Sequence, residues 1–82
     1  MNDPDDRPQY SVCQFFPDGT HEYIKRWITA REAVEIAQSY TMPNRPSVKL
    51  GITKRVIITD SGDCINWEWQ HGVGVTFPKD IN

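Results

Sequence analysis

Two hairpin patterns separated by one helical segment limit the fold of this chain more than any other feature. Each hairpin pattern has two runs rich in β-branched and aromatic residues; these runs are 9–16 and 21–28, then 52–59 and 64–70. Turn sequences lie between the runs, at 17–20 with Pro, Asp and Gly and at 60–63 with Asp, Ser and Gly. These residue types adopt the backbone angles that tight turns require. The sequence therefore predicts a ββαββ order.

The helix is predicted to cover about residues 29–41. Thr29 and Glu32 have the spacing of a capping box, in which each residue bonds the backbone N–H of the other. The apolar residues of the segment fall on one side of a helical wheel, and the middle of that side is alanine. The predicted fold class is therefore α+β, with a four-stranded, mainly antiparallel sheet and this helix packed on one face. Residues 73–77 either extend the fourth strand or form a short fifth one.

A chain of 82 residues has room for one domain. We expect residues 1–8, which are acidic and interrupted by proline, to be a disordered tail and residues 9–82 to form the single α+β domain. The first eight residues lack the regions of a signal peptide, and no segment approaches the ~20 apolar residues of a membrane helix. With two cysteines, each in a predicted strand, the expected location is the cytoplasm and no membrane partner is expected.

Charge is distributed unevenly along the chain, although the net charge is only −2. Residues 25–55 carry seven basic against two acidic residues, a local charge of +5, and both flanking regions are acidic. A basic stretch can bind nucleic acid, but the pI near 5.5 is far below the value of about 9 typical of nucleic-acid-binding domains. Solvated faces, or complementary patches that help two copies associate, are the more common explanation.

One helix can cover only one face of the predicted sheet. The first three strands nevertheless place large apolar side chains on both faces, and a contiguous exposed apolar patch indicates an interface. We therefore predict a homodimer, or contact with another protein, through the open sheet face and the 41–51 connection. In the alternative, the 41–51 connection or the termini fold across that face and complete the core.

The residue types that carry chemistry occur singly. Cys13, Cys64, His21 and His71 lack the spacing of a zinc site, and strand cysteines are usually buried as small apolar residues. The aspartates of the 60–63 turn are explained by side-chain bonds to nearby amides. We predict no metal, no cofactor and no catalytic residues, and whether the protein is an enzyme stays open, with a non-enzyme favoured.

Aromatic and basic residues in the strands are the best candidates for recognition, because bases stack on rings while cations meet phosphates. The predicted interaction residues are Tyr23, Lys25, Trp27, Arg45, Lys54 and Arg55. Trp67 and Trp69 belong either to such a surface or, as favoured, to the core against the alanine side of the helix.

The segment Tyr10–Tyr40, in which a hairpin leads into Ile28-Thr-Ala-Arg-Glu-Ala-Val34, resembles the start of HicB-type antitoxins. In that family a partial RNase-H-like sheet carries a helix that begins T-x-x-E-A, but the glycine-rich turn before that helix is missing here. The whole chain also resembles small proteobacterial proteins of unknown function, a resemblance that implies no activity and no site residues. The leading functional hypothesis is a non-catalytic, self-associating interaction module. The alternative is a nucleic-acid-binding or antitoxin-like regulator that uses the basic 25–55 segment.

Overall fold

A computed structural model describes residues 7–78, as one sheet with one main helix. The elements are β1 (Tyr10–Phe15), β2 (His21–Ile28), α1 (Ala30–Tyr40), α2 (Pro46–Lys49), β3 (Arg55–Thr59), β4 (Ile65–Gln70) and β5 (Gly74–Phe77). The strand order across the sheet is β2-β1-β3-β4-β5, and every neighbouring pair is antiparallel. The predicted α+β class with one main helix is confirmed. The predicted disordered tail falls largely on residues 1–6, which lie outside the described residues.

The prediction of four strands is wrong, because the sheet has five. After β4 the chain reverses and returns as β5, which pairs with β4. Gly72 and Gly74 make this reversal possible, since both have positive φ, +81° and +102°, where a residue with a Cβ would be strained. The glycines that suggested a bend in β4 therefore separate two strands.

The helix begins as its capping box predicts. The Glu32 N–H donates to the Thr29 hydroxyl at 3.2 Å, and the Thr29 N–H donates to the Glu32 carboxylate at 3.0 Å. Two donors that the first turn leaves without helical partners are thereby satisfied. The cap fixes the start of α1 directly after β2, so the helix crosses back over the sheet.

The connection after α1 contains a short helix, α2, that the sequence pattern does not predict. Pro46 occupies its first turn, where the missing N–H of proline has no cost. Val48 of α2 is buried in the same core as α1, and its carbonyl oxygen lies 2.8 Å from the His71 Nε2 atom. The connection therefore packs against the core and the turn before β5.

The two faces of the sheet differ in what covers them. On the helix-covered face the buried core consists of Val12, Ile28, Ala33, Ala37, Val48, Val56, Ile58 and Trp69. Alternation along β1 and β3 places Cys13 and Ile57 on the opposite, helix-free face, where both are also buried. α1 packs mainly on β1 and β3, near the middle of the sheet. This position decides which part of the helix-covered face stays accessible.

Candidate interaction surfaces

An apolar groove lies on the helix-covered face, between α1 and the β4–β5 hairpin. Its two connected parts have volumes of about 390 and 210 Å³ and share Val34, Ile58 and Trp67 in their walls. Other lining residues are Tyr10, Asn66 and Pro78 in the larger part, and Gln38, Thr41 and Val75 in the smaller. Every residue that lines it is uncharged. We refer to it below as the apolar groove.

The rim of the groove is made by exposed apolar side chains. Val34 of α1 is 45% exposed, although the neighbouring Ala33 is fully buried under the helix. Across the groove, Val75 of β5 is 54% exposed. Exposed apolar patches of this kind typically mark binding sites for proteins or peptides.

β5 is an edge of the sheet, because in residues 7–78 it pairs with β4 alone. The segment that contains it, Gly72-Val-Gly-Val-Thr-Phe-Pro78, has no charged residue. An edge strand exposes a row of backbone N–H and C=O groups, and proteins usually protect such edges with charges. We call residues 72–78 the uncharged edge.

The helix-free face carries a continuous row of stacked side chains. In order of contact the row consists of Arg55, Phe15, His21, Tyr23, Arg26 and Trp27. The Arg55 guanidinium carbon lies 4.8 Å from the Phe15 ring centre, and the Phe15 and His21 ring centres are 5.4 Å apart. We call these six residues the ring–arginine row.

The row continues to the edge strand β2. The His21 and Tyr23 rings meet edge to face at 5.9 Å. The Arg26 guanidinium lies 4.1 Å from the Tyr23 ring centre and 5.3 Å from the Trp27 ring centre, within cation–π range of both. The row therefore crosses from β3 through β1 to the edge of the sheet, and most of its outer half is exposed.

Trp27, at the end of the row, has an unusual backbone. Its φ is +59°, in the left-handed region that bulky residues rarely adopt, and its side chain is 57% exposed. The β1–β2 pairing shifts register near this position. A strained bulge thus presents a large ring to solvent, an arrangement found at functional sites more often than elsewhere.

At the other end of the row, Arg55 is held by Glu68 of β4. The Arg55 Nε–H donates to the Glu68 carboxylate, and the Thr76 hydroxyl of β5 donates to the other carboxylate oxygen at 2.7 Å. The Thr76 hydrogen bond, followed by that from Arg55, lowers the pKa of Glu68 below its ordinary value. Three strands are therefore joined by one ionised carboxylate on the helix-free face.

Beneath the row the helix-free face has a buried floor. Ser11, Cys13, Ile57 and Thr59 are all buried there. Burial raises the pKa of the Cys13 thiol, so the thiolate that a nucleophile requires is disfavoured.

The predicted interaction residues separate into three groups. Tyr23, Trp27 and Arg55 belong to the ring–arginine row. Lys25 and Lys54 are exposed beside members of the row in sequence. Arg45 is elsewhere, because its guanidinium stacks on the Tyr40 ring of α1 at 3.8 Å.

Sequence reasoning omitted Phe15, His21 and Arg26 from the interaction residues. Period-two alternation places His21 beside Tyr23 on one face, and this signal was present in the sequence. The pairing of Phe15 with both His21 and Arg55 depends on β1 lying between β2 and β3, which the sequence does not reveal. Of the tryptophans left open, Trp69 is buried in the core and Trp67 is half-buried in the apolar groove.

Within residues 7–78, no three His, Cys, Asp or Glu side chains come close enough together to hold a metal ion. Over the same residues, neither helix has the length and apolarity needed to span a membrane. Comparisons of the chain with known protein families, with curated proteins and with solved structures found no match. The resemblance to HicB-type antitoxins therefore stays a prediction.

Proposed function

We propose that this protein is a non-catalytic interaction module that self-associates, with the uncharged edge and the adjoining apolar groove as its contact surface. The sequence predicts this contact on the sheet face opposite the helix and on the 41–51 connection. The position of the groove supports the helix-covered side, next to β5, instead. The observation that carries the proposal is a free edge strand without charge that is continuous with an uncharged, apolar channel.

The outer side of β5 supplies backbone hydrogen bonds to the contact. Alternate residues of β5 direct backbone N–H and C=O groups away from β4, and an added antiparallel strand satisfies these groups. Strand addition to an exposed edge is a common mode of protein recognition, in which the main chain contributes affinity and side-chain pockets contribute specificity.

A second copy of this chain is the occupant that the charge pattern favours. A two-fold axis beside β5 brings each β5 strand opposite an identical strand, so any charge near the axis would face its own copy. The uncharged edge contains no such charge, and Val75 and Phe77 can pair across the axis as apolar neighbours. The same operation brings the two apolar grooves together on one face of the extended sheet.

Burial of the groove rim supplies the free energy of association. Val34 and Val75 of the rim are each about half exposed in the single chain, as is Phe77 of the uncharged edge. Removing apolar surface from water contributes roughly 25 cal/mol per Å², so covering these side chains in both copies stabilises a dimer.

The proposal is tested by sedimentation equilibrium of the full chain over about 1 to 500 µM, which brackets micromolar dissociation constants. The expected result is a concentration-dependent mass that reaches two chains. Val75→Lys places a cation at the centre of the uncharged edge, against the apolar Phe77 of the second copy. Burial of a Val side chain contributes about 1.5–3 kcal/mol to the free energy of association, and a loss of 1.4 kcal/mol raises a dissociation constant tenfold. The dissociation constant of the dimer should therefore rise about tenfold or more.

Leu50→Lys is the matched control, because Leu50 is a 74% exposed aliphatic residue that lines neither part of the groove. This variant should dimerise as the unmodified chain does, and circular dichroism checks that both variants are folded. A wild-type chain that is monomeric throughout the concentration range contradicts the proposal. Equal association by the Val75→Lys variant also contradicts it.

A further inference from the structure

We propose that the ring–arginine row is a second, separate binding site, and that its ligand is a single-stranded nucleic acid. The site is on the helix-free face and the β2 edge, whereas the proposed self-association uses the helix-covered face and the β5 edge. The inference therefore does not depend on the proposed dimer. Its basis is the chemistry of the six stacked side chains.

Flat surfaces suitable for bases run along the row. The Tyr23 and Trp27 rings are 39% and 57% exposed, and the His21 side chain is exposed beside them. Every base has a π-face, so such rings accept bases with little regard to sequence. Unpaired bases stack equally well on the plane of an arginine guanidinium.

The two arginines are positioned for both tasks. Arg26 lies over the Tyr23 ring and Arg55 over the Phe15 ring, so each guanidinium is supported by a ring. The N–H groups at the edge of a supported guanidinium remain suitable donors to phosphate oxygens. One guanidinium can therefore bind two parts of a nucleotide: the base stacks on its plane, and the phosphate accepts hydrogen bonds from its edge.

The charges of the row itself complement a phosphate backbone. Two of its six members are guanidinium groups, those of Arg26 and Arg55. The nearest acidic residues are already engaged: Glu22 of β2 accepts from the Gln14 amide at 3.0 Å, and Glu68 of β4 accepts from Arg55 and Thr76. An acidic peptide would also pair with these cations, but its carboxylates would not stack on the exposed rings.

The backbone of Trp27 is an independent indication. A bulky residue at φ +59° costs free energy in the folded state, and this ring recovers little of it because more than half of its surface stays in water. A ligand that covers the Trp27 ring would explain why a strained backbone holds this ring in solvent.

The test is fluorescence anisotropy of a labelled 12-nucleotide oligothymidine, titrated with the full chain at 50 mM salt. Two to four phosphate contacts give a slope of log affinity on log salt of about −1.4 to −2.8, so affinity should fall roughly 7- to 50-fold between 50 and 200 mM salt. Tyr23→Ala should weaken binding about 5-fold or more, since each base–ring stack contributes about 1–3 kcal/mol.

Arg26→Gln and Arg31→Gln form the matched pair, because both remove one exposed arginine and leave the same net charge. Arg31 lies on α1, on the other side of the sheet. The proposal expects at least a fivefold loss with Arg26→Gln and a change of less than twofold with Arg31→Gln.

Three results would overturn the inference. The first is no binding by the unmodified chain at 50 mM salt. The second is equal affinity for the 12-base-pair duplex, whose bases cannot stack on the row. The third is a combined result: Arg26→Gln lowers the affinity for the oligothymidine, Tyr23→Ala does not, and polyglutamate competes fully. That result would assign the site to acidic protein segments instead.

Discussion

The two edges of this sheet are built in opposite ways. β2 carries Glu22, Lys25 and Arg26 along its length, and its pairing with β1 has two register shifts. β5 carries no charge, and its pairing with β4 has one shift. Charges and bulges are the devices by which proteins keep sheet edges from pairing with other chains. The comparison indicates that β2 is protected from strand addition and that β5 is available for it.

The same contrast extends to the faces beside the edges. Beside β2, stacked rings and guanidinium groups of the ring–arginine row lie on the helix-free face. Beside β5, the apolar groove lies on the helix-covered face. The difference follows from the position of α1 over β1 and β3, which leaves the β4–β5 end of the covered face open. A single helix over β1 and β3 therefore leaves two chemically distinct surfaces accessible in a small domain.

The largest expected effect comes from removing the protection of β2. The double substitution Lys25→Val/Arg26→Val removes two of the three charges of β2 and so weakens the protection of this edge, and two accessible edges allow an open-ended series of contacts. Light scattering should show assemblies larger than dimers at concentrations where the unmodified chain shows none. Arg31→Val/Lys49→Val removes the same two charges from the helices and should not produce them. Equal assembly by both double variants would mean that lost net charge, not the open edge, causes it.

Much of the fold follows from local signals in the sequence. Thr29 and Glu32 mark the start of α1, and the alternating residues of β2 identify a strand, because these signals depend on neighbours in the chain. β5 was harder to predict, since the glycines at 72 and 74 are compatible with either a bend or a reversal. Only the pairing of Trp69 with Val75 decides between them.

The candidate surfaces were less predictable for a physical reason. Both depend on which strands are neighbours, and the placement of β1 between β2 and β3 is decided by packing of the whole core. Trp67 shows the consequence, because its period-two position indicated the helix-covered face but not that α1 would leave it half exposed. Tyr23 and Trp27 could be identified because large rings beside basic residues in one strand are a local signal of a recognition surface, and the structure exposes both.

A smaller effect is expected at the contact that joins β5 to the sheet on its helix-free side. Thr76→Val removes the hydrogen bond that contributes most to lowering the pKa of Glu68, so the pKa should rise toward its ordinary value. Because the folded-state pKa lies below the unfolded value of about 4.3, this stabilisation is complete above that pH and is lost as pH falls through the folded pKa. The free energy of unfolding at pH 7 should fall by about 1 kcal/mol.

The measurement is urea unfolding of both proteins at pH 7 and pH 3, combined with a carboxyl NMR titration of Glu68. The difference between the proteins should shrink at pH 3, where more of the Glu68 carboxylate is protonated. Thr20→Val removes a similar hydroxyl bond to Asp18 in an exposed turn and should change stability less. A Glu68 pKa that does not move in the Thr76→Val variant would show that Arg55 alone holds the carboxylate, and β5 would then be attached more weakly than the comparison assumes.

The smallest change in stability is expected at Trp27, and it tests directly whether the exposed ring of the β2 edge contributes to the fold. Glycine adopts a φ of +59° without strain, so Trp27→Gly removes a cost of about 1–2 kcal/mol and loses the contacts of a ring that is already 57% exposed. These terms nearly cancel, and the free energy of unfolding measured in urea should change by less than about 1 kcal/mol. Tyr23→Gly, at a strand position without positive φ, should be more destabilising. If Trp27→Gly is instead the more destabilising of the two, the ring contributes to the fold itself, and its exposure no longer argues for a ligand. If it is neutral, the chain keeps a strained tryptophan at its protected edge without any gain in stability, and only an interaction made by that ring accounts for its presence.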